Sequence, residues 1–370
     1  MTRIQTGIFF KLVLIFILIF FTENLSAQHE KEDGIITNQE SADVFSPGEF
    51  IVDHIGDSFY WHLLTIGHTH ISVPLPIILY SKERGLFIFM SNKFHHGKES
   101  YKGFKVETEW DNEGKIVEIL PDGTTDKNAP LPLSFSITKN VAALIFSLIL
   151  LLVIFIPVSK AYRRNKGKAP KGLQSFVEPL ILFVRDEIAK PSIGEKKYEK
   201  YTPYLLSIFF FIFLNNLLGL IPIFPGGANV TGNIAVTMVL AVFTFIITTI
   251  SANKNYWKHI FNAPGVPWWL KFPIPLMPII EVLGVFTKPF VLMVRLFANI
   301  TAGHIIALSF FSLIFIFGKI SPGLGYGVSV ISVAFTIFMT LLELLVAFIQ
   351  AYVFTLLSAL YFGLAITEDH

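Results

Sequence analysis

The chain has 370 residues, of which 53% are hydrophobic and only 15% charged, with no cysteine and a formal net charge of +2 at pH 7. A soluble domain carries about a quarter of its residues as Asp, Glu, Lys and Arg, so the shortage, with a mean hydropathy of +0.61, points to a membrane as solvent. The near-neutral balance gives no footing for nucleic acid as a partner, and the lack of cysteine excludes disulfides, thiolate metal sites and cysteine nucleophiles.

Residues 1–27 read as a secretory signal peptide. Arg3 and Lys11 precede the apolar run 12–21, and Leu25-Ser26-Ala27 offers a cleavage site after Ala27. The run is short against the ~20 residues of a membrane span. The segment beyond Ala27 is therefore expected outside the cytoplasm.

Residues 28–136 mix charges, Gly, Pro and short apolar runs, and read as an extracytoplasmic extension of weak β character. Segments 105–110 and 115–120 alternate apolar and polar residues around the turn 111–114, which predicts a hairpin. The apolar run 72–80 is broken by Pro74 and Pro76, which demotes it to an edge strand or an extended segment. His54, His62, His68, His70, His95 and His96 crowd here. They lack the pairing at helix or finger spacing that a metal site needs, so exposed or half-packed histidines are expected.

Residues 137–370 form the membrane domain. A first span over 138–158 is followed by Lys160, Arg163, Arg164, Lys166, Lys168 and Lys171. Basic residues beside a span stay cytoplasmic, so this span runs inward, in agreement with the signal peptide. Segment 173–189 has apolar residues at 3–4 spacing among Glu178, Arg185, Asp186 and Glu187, and reads as an amphipathic helix on the cytoplasmic surface. Spans over 203–222 and 233–251 come next, then a loop at 262–275 with Trp268 and Trp269. The last two apolar segments, 276–317 and 328–366, are both too long for an upright crossing. Pro322, Gly323, Gly325 and Gly327 predict the outer turn between them. The C-terminus is expected in the cytoplasm.

These long segments carry Glu281, Lys288, Arg295, Asn299 and His304 in the first, and Glu343 and Gln350 in the second. An Arg at mid-membrane costs at least ~2.5 kcal/mol, so such residues face a cavity or a partner. Arg295 cannot lose its proton, which makes it a counter-charge or a barrier and unfit as a relay. Asn299 lies four residues on, on the same helical face. His304 and Glu343 sit on segments that a hairpin brings together, and an imidazole beside a carboxylate can pass a proton. The bland alternative, polar residues that only tie helices together, competes most strongly for Asn215, Asn216 and Asn233. No acidic residue lies near Arg295 in sequence, so its anion is expected from another chain.

Four ordered motifs resemble the signature of subunit a of F-type ATP synthases. They are Arg295-Leu-Phe-Ala-Asn299 with Ala302-Gly303-His304; Glu343 with Ala347-Phe-Ile-Gln350; Thr202-Pro203 with Asn215-Asn216-Leu-Leu-Gly219; and Asn233-Ile-Ala-Val-Thr237. The resemblance covers residues 138–370. It implies an all-α polytopic membrane protein of about five membrane-embedded helices with a long tilted C-terminal helical hairpin. It also implies an ion-translocating stator subunit working against a c-ring, with the subunit b peripheral stalk and the catalytic headpiece as partners in a bacterial inner membrane. Arg295 would separate two half-channels. His304, Glu343, Asn299 and Gln350 would line the outer one, and Glu281 and Lys288 would border the inner one. Asn215, Asn216 and Asn233 are further candidates for the lining. Some family members carry a carboxylate where Gly219 stands here and exchange the acid and the histidine between helices.

No phosphate-binding GxxxxGK[ST] loop is present, so ATP chemistry is expected in partner subunits, and nothing in the sequence calls for a cofactor or a metal. Three rival readings remain. A secondary transporter with an intramembrane Arg/Glu/His site would favour internal repeats, and none is visible. An intramembrane protease would show HExxH or GxSxG, and neither occurs. A plain anchor has no use for Arg295 and Glu343.

Overall fold

The computed structural model describes residues 46–66, 69–97, 99–107, 114–120, 122–126, 129–164, 169–221, 226–261 and 276–367. The expected signal peptide with its cleavage site, His68, the turn residues 111–113, the loop 262–275 and the last three residues lie outside these.

The extension opens with helix α1 (Pro47–Ile55). Strand β1 (Tyr60–Ile66) pairs antiparallel with β2 (Thr69–Pro74), and β3 (Pro76–Ser81) lies between β4 (Gly85–Met90) and β7 (Leu133–Ser134). The hairpin expected around 111–114 is present as β5 (Phe104–Val106) against β6 (Ile116–Glu118). The proline-broken run is an edge strand only in its first part, in the two-stranded β1–β2 sheet. It splits into the end of β2 and the whole of β3, and β3 is the central strand of its sheet. The prolines cause no conflict there. Pro74 closes one strand and Pro76 opens the next, where a missing N–H costs the ladder least. Ile77 and Leu79 of β3 face Phe89 and Phe87 of β4 in register. A 3-10 turn, Ser91–Gly97, folds Phe94 onto that face, and Phe104 and Ile116 close the small core.

The membrane part begins with α2 (Lys139–Arg164). Next comes α3 (Leu173–Leu182), which continues through π-wound turns, Phe183–Ala189, into α4 (Lys190–Ile193). The amphipathic segment expected at 173–189 is thus helical, with its second half wound more widely. Then come α5 (Tyr198–Leu220), α6 (Ile234–Ser251), α7 (Lys254–Phe261), α8 (Leu276–Ile320) and α9 (Pro322–Ile366). Five of these (α2, α5, α6, α8 and α9) are long and apolar enough to cross a membrane. The fold expected from the sequence, a polytopic helical protein with a β-rich N-terminal part, is the fold observed.

Helices α8 and α9 have 45 residues each. At 1.5 Å per residue each is ~67 Å long, over twice the ~30 Å hydrocarbon layer, and fits within it only when steeply tilted. Their connection is tighter than the glycine-rich sequence suggests. Ser321 alone links them, and the stretch expected as a turn, residues 322–327, already forms the first turns of α9. Pro322 suits a first helical position because its missing N–H has no partner there. Gly325 allows the close approach, since a methyl group at that position would stand 2.7 Å from Gly318 Cα. From this tip the hairpin keeps antiparallel register along its length. Phe310 stacks on Phe335 at 5.1 Å, His304 meets Glu343, and Lys288 Nζ lies 5.8 Å over the Tyr361 ring.

The main core gathers α5, the C-terminal half of α9, and Leu292 and Leu296 of α8 around Val184 and Ile188 of the π-wound turns. Tyr201 stacks on Phe362 at 5.1 Å. A side chain at Gly363 would collide with the Ser192 carbonyl, so glycine lets α9 pack directly on α4. The N-terminal half of α9 is different: Val330, Ile331 and Ile337 are exposed.

Candidate functional site

The best-defined polar constellation lies where the C-terminal half of α8 faces the middle of α9. His304 Nδ1 stands 3.9 Å from Glu343 Oε1, with side chains 19% and 12% exposed. That separation is an ion-pair distance, too long for a direct hydrogen bond. Glu343 Oε1 is buried and accepts no hydrogen bond among the described residues. Gly303 makes the room, and Gly219 lines the other side at ordinary contact distance. A methyl at Gly303 would stand 2.6 Å from Glu343 Oε1 and 3.1 Å from its Cγ. A methyl at Gly219 of α5 would stand 3.7 Å from His304 Nε2 and 3.5 Å from the Ala228 carbonyl oxygen. The imidazole therefore sits between α5 and α9, beside the position where the resembled family can carry an acid.

Two further basic groups border this pocket. Lys139, at the start of α2, is only 7% exposed, and its Nζ donates to the His54 carbonyl at 3.1 Å. The charges of His54 and Lys139 both reach His304, and α1 packs against α8. Sequence reasoning passed over Lys139. The signal was available in its position, a lysine at the N-terminal end of a span whose other basic residues gather at the C-terminal end.

Deeper along α8, Arg295 and Asn299 are both exposed, one turn apart. Among the described residues no carboxylate pairs with Arg295. Gln350, 6% exposed, lies seven residues past Glu343 on α9, ~10 Å along the helix. Antiparallel register brings it level with the turn between Arg295 and Asn299. Nearer the N-terminus of α8, Lys288 lies over Tyr361. Glu281 is half-buried near Tyr256 of α7, whose phenol is pushed up by burial and secondarily by the Glu281 charge.

The asparagines are more heavily engaged. Asn216 donates to the Ala347 carbonyl of α9 at 3.2 Å and accepts from Thr231 Oγ1 at 2.6 Å, a buried tie between α5, α9 and the loop before α6. Asn233 caps α6 by accepting from the Ala235 N–H at 2.9 Å, a usual way to satisfy a free helix-end donor. Asn215 donates to the Phe211 carbonyl one turn back at 2.8 Å, while its Oδ1 is buried without a partner among the described residues. The structure therefore joins His304 and Glu343 closely and sets Gln350 level with Arg295 and Asn299. Asn216 and Asn233 are used in holding helices, and Glu281 and Lys288 lie apart in the N-terminal part of α8. Among the described residues no three His, Cys, Asp or Glu side chains converge as metal ligands.

In chemical terms α8 carries a permanent cation exposed on its surface and, ~13 Å further along its axis, an imidazole facing a carboxylate across the hairpin. The first can hold an anion supplied from outside the chain, and the second can take up and release a proton.

Residues 143–363 match the family described as ATP synthase A chain, and residues 50–136 match a domain of unknown function, DUF8433. ATP synthase subunit a of Chloroherpeton thalassium is 44% identical over 242 residues, which cover 64% of this chain and 68% of that protein. ATP synthase subunit a of Chlorobium phaeobacteroides strain BS1 is 43% identical over 279 residues, covering 70% and 78%. That of Myxococcus xanthus is 43% identical over 265 residues, covering 70% and 79%.

Proposed function

The chain belongs to the ATP synthase A chain family, that of the membrane subunit a of the rotary ATP synthase, and we propose that it passes protons to and from c-ring carboxylates through two half-channels separated by Arg295. Protons enter from the outer side at His304 and Glu343. They pass Asn299 and Gln350 to a ring carboxylate, which then turns away into the lipid. A carboxylate arriving from the other side meets the guanidinium of Arg295. The fixed cation favours its ionised form, so the proton leaves toward Glu281 and Lys288 and the cytoplasm. Because Arg295 stays protonated, it cannot short-circuit the two sides. Each charge crossing yields ~2.3 kcal/mol per 100 mV, so a ring of repeated sites is needed to drive one ATP.

The observation that carries this reading is the pairing of His304 with Glu343 across a membrane hairpin whose α8 also exposes an uncompensated Arg295. The c-ring supplies the missing anion. The subunit b stalk and catalytic headpiece complete the assembly, with no ATP site in this chain. The location is the bacterial inner membrane. Lys160, Arg163 and Arg164 at the end of α2 support a cytoplasmic inner face, with the extension outside and the C-terminus inside.

The test is ATP-driven proton pumping in inverted vesicles carrying Arg295→Ala, with ring co-purification confirming assembly. Pumping is expected to vanish in the assembled complex. Undiminished pumping with the ring bound would remove Arg295 from the mechanism.

A further inference from the structure

The three-stranded sheet of the extension is apolar on both faces. One face, with Ile77, Leu79 and Phe89, makes the small core. On the other, Ile78 stands opposite Ile88 and Tyr80 opposite both Leu86 and Leu133. This second face is open: Leu86 is 62%, Ile88 61% and Leu133 57% exposed. Phe135, just past β7, continues it at 66%. None of the three strands contains a charged residue. An antiparallel sheet that meets water on one side normally alternates apolar and polar residues. A contiguous exposed apolar patch marks a surface that something covers.

The chain itself indicates the cover. Four residues, 135–138, separate β7 from α2, so the patch lies within ~14 Å of the first turn of a membrane-crossing helix. The anchorage is stiff. Lys139 N–H donates to the Ser58 carbonyl at 2.8 Å, and the Asn140 N–H donates to Asp57 at 3.0 Å. The exposed apolar stripe of α2 begins at Val141 and Ile145, a few residues along the chain from the exposed Leu133 and Phe135. Tyr80 and Phe135 add the aromatic character found at headgroup level.

We propose that the outward face of the β4-β3-β7 sheet is seated in the outer leaflet of the bilayer beside α2, with lipid as its partner, so that the extension is a membrane-lying module. This rests on α2 crossing the membrane and is independent of the ion path. The face dips into the boundary between headgroups and acyl chains, as the apolar side of an interfacial helix does, and it fixes the orientation of the extension over the subunit.

The lack of cysteine in the chain makes the test direct. Nitroxide labels are placed singly through Ile88→Cys, Leu133→Cys and, as a water-facing control in the β3–β4 turn, Glu83→Cys. The carrier is the assembled synthase in nanodiscs, with no other reactive cysteine and with ring co-purification confirmed for each variant. Collision with oxygen and with a water-soluble nickel chelate is then measured. At positions 88 and 133 the oxygen-to-nickel ratio is expected to be several-fold above that at 83. A ratio equal to that at 83 would place the face in water. Exclusion of both reagents would mean that protein covers it: another subunit, a second copy or residues 1–45. Either result overturns the proposal. Should Ile88→Cys fail to assemble, Met90→Cys on the same face gives the same reading.

Discussion

Gly303 is where the helical backbone makes space for the carboxylate of Glu343. A methyl 2.6 Å from Oε1 forces the Glu343 carboxylate to shift, which disturbs its 3.9 Å spacing to His304. Gly303→Ala should therefore leave the helix as stable or slightly more so, since alanine is the better helix former by about 1 kcal/mol, yet lower proton pumping. A displacement of about 1 Å can cost up to 10²-fold in a positioned reaction, so a tenfold or larger fall is expected in vesicles that still retain the ring. Gly327→Ala supplies the comparison, because nothing lies within 4 Å of a methyl there, and its pumping should match the parent. A second residue-level expectation concerns Asp186. Hydrogen bonds from Arg185, at 2.9 and 2.8 Å, and an ion pair with Lys190 at 2.6 Å hold its carboxyl well below the usual carboxylate range. A depressed native value gives stability that is fully present above the unfolded value of about 3.9 and is lost as pH falls through the native one. The melting difference between the parent and Asp186→Asn should thus stay constant from pH 8 to about pH 5. It should shrink only under stronger acid, as thermal melts of the purified protein would reveal.

The hairpin α8–α9 depends on small residues at its tip. A methyl on Gly325 would press to 2.7 Å from the Gly318 Cα, which is backbone and cannot swing aside. Overpacking of this kind costs about 1–3 kcal/mol. Gly325→Ala should lower the melting temperature of the detergent-solubilised subunit, with Gly323→Ala, which has only Ser321 Oγ at 3.8 Å, as the mild comparison. The existence of these helices was legible from the sequence because uninterrupted apolar length admits little else in a bilayer. Their membrane charges stood out for the same reason. The tightness of the turn was not legible: Gly323, Gly325 and Gly327 have the composition of a loop, yet all three lie in α9, with Gly325 packed on Gly318. Nor could Pro74 and Pro76 reveal a central strand, since a proline argues against a ladder only when it stands within a strand and not at its end. The His304–Glu343 pair was foreseeable from their placement on adjacent segments. That Asn216 and Asn233 spend their side chains on a tie and a cap was not, because asparagine is equally fit to cap a helix, cross-link two or line a channel.

The extension and the membrane helices meet through few but buried contacts, and these converge on the backing of the His304 pocket. Trp61 of β1 is 4% exposed and donates its indole N–H to the Gly226 carbonyl at 3.2 Å, packed with Ala143, Ala228 and Val230. From there the loop before α6 reaches the site in three places: the Ala228 carbonyl faces Gly219, Thr231 bonds Asn216 at 2.6 Å, and the Gly232 carbonyl accepts from Thr301 at 3.4 Å. One side chain of the extension therefore braces the loop that holds α5 and α8 at their spacing around the imidazole. Trp61→Ala removes a buried aromatic, a change that costs about 3–5 kcal/mol where the site cannot collapse. Two effects are expected together in the assembled complex. Amide hydrogen exchange should quicken in residues 226–232 and in the first turn of α2, while the inner core around Phe209 and Phe362 keeps its protection. Proton pumping should fall although no group on the ion path has changed, and Trp61→Phe, which keeps part of the packing and loses the N–H, should fall between parent and alanine. If exchange quickens while pumping stays at the parental rate, the extension braces the loop without holding the channel geometry, and the coupling between the two halves of the chain is structural alone.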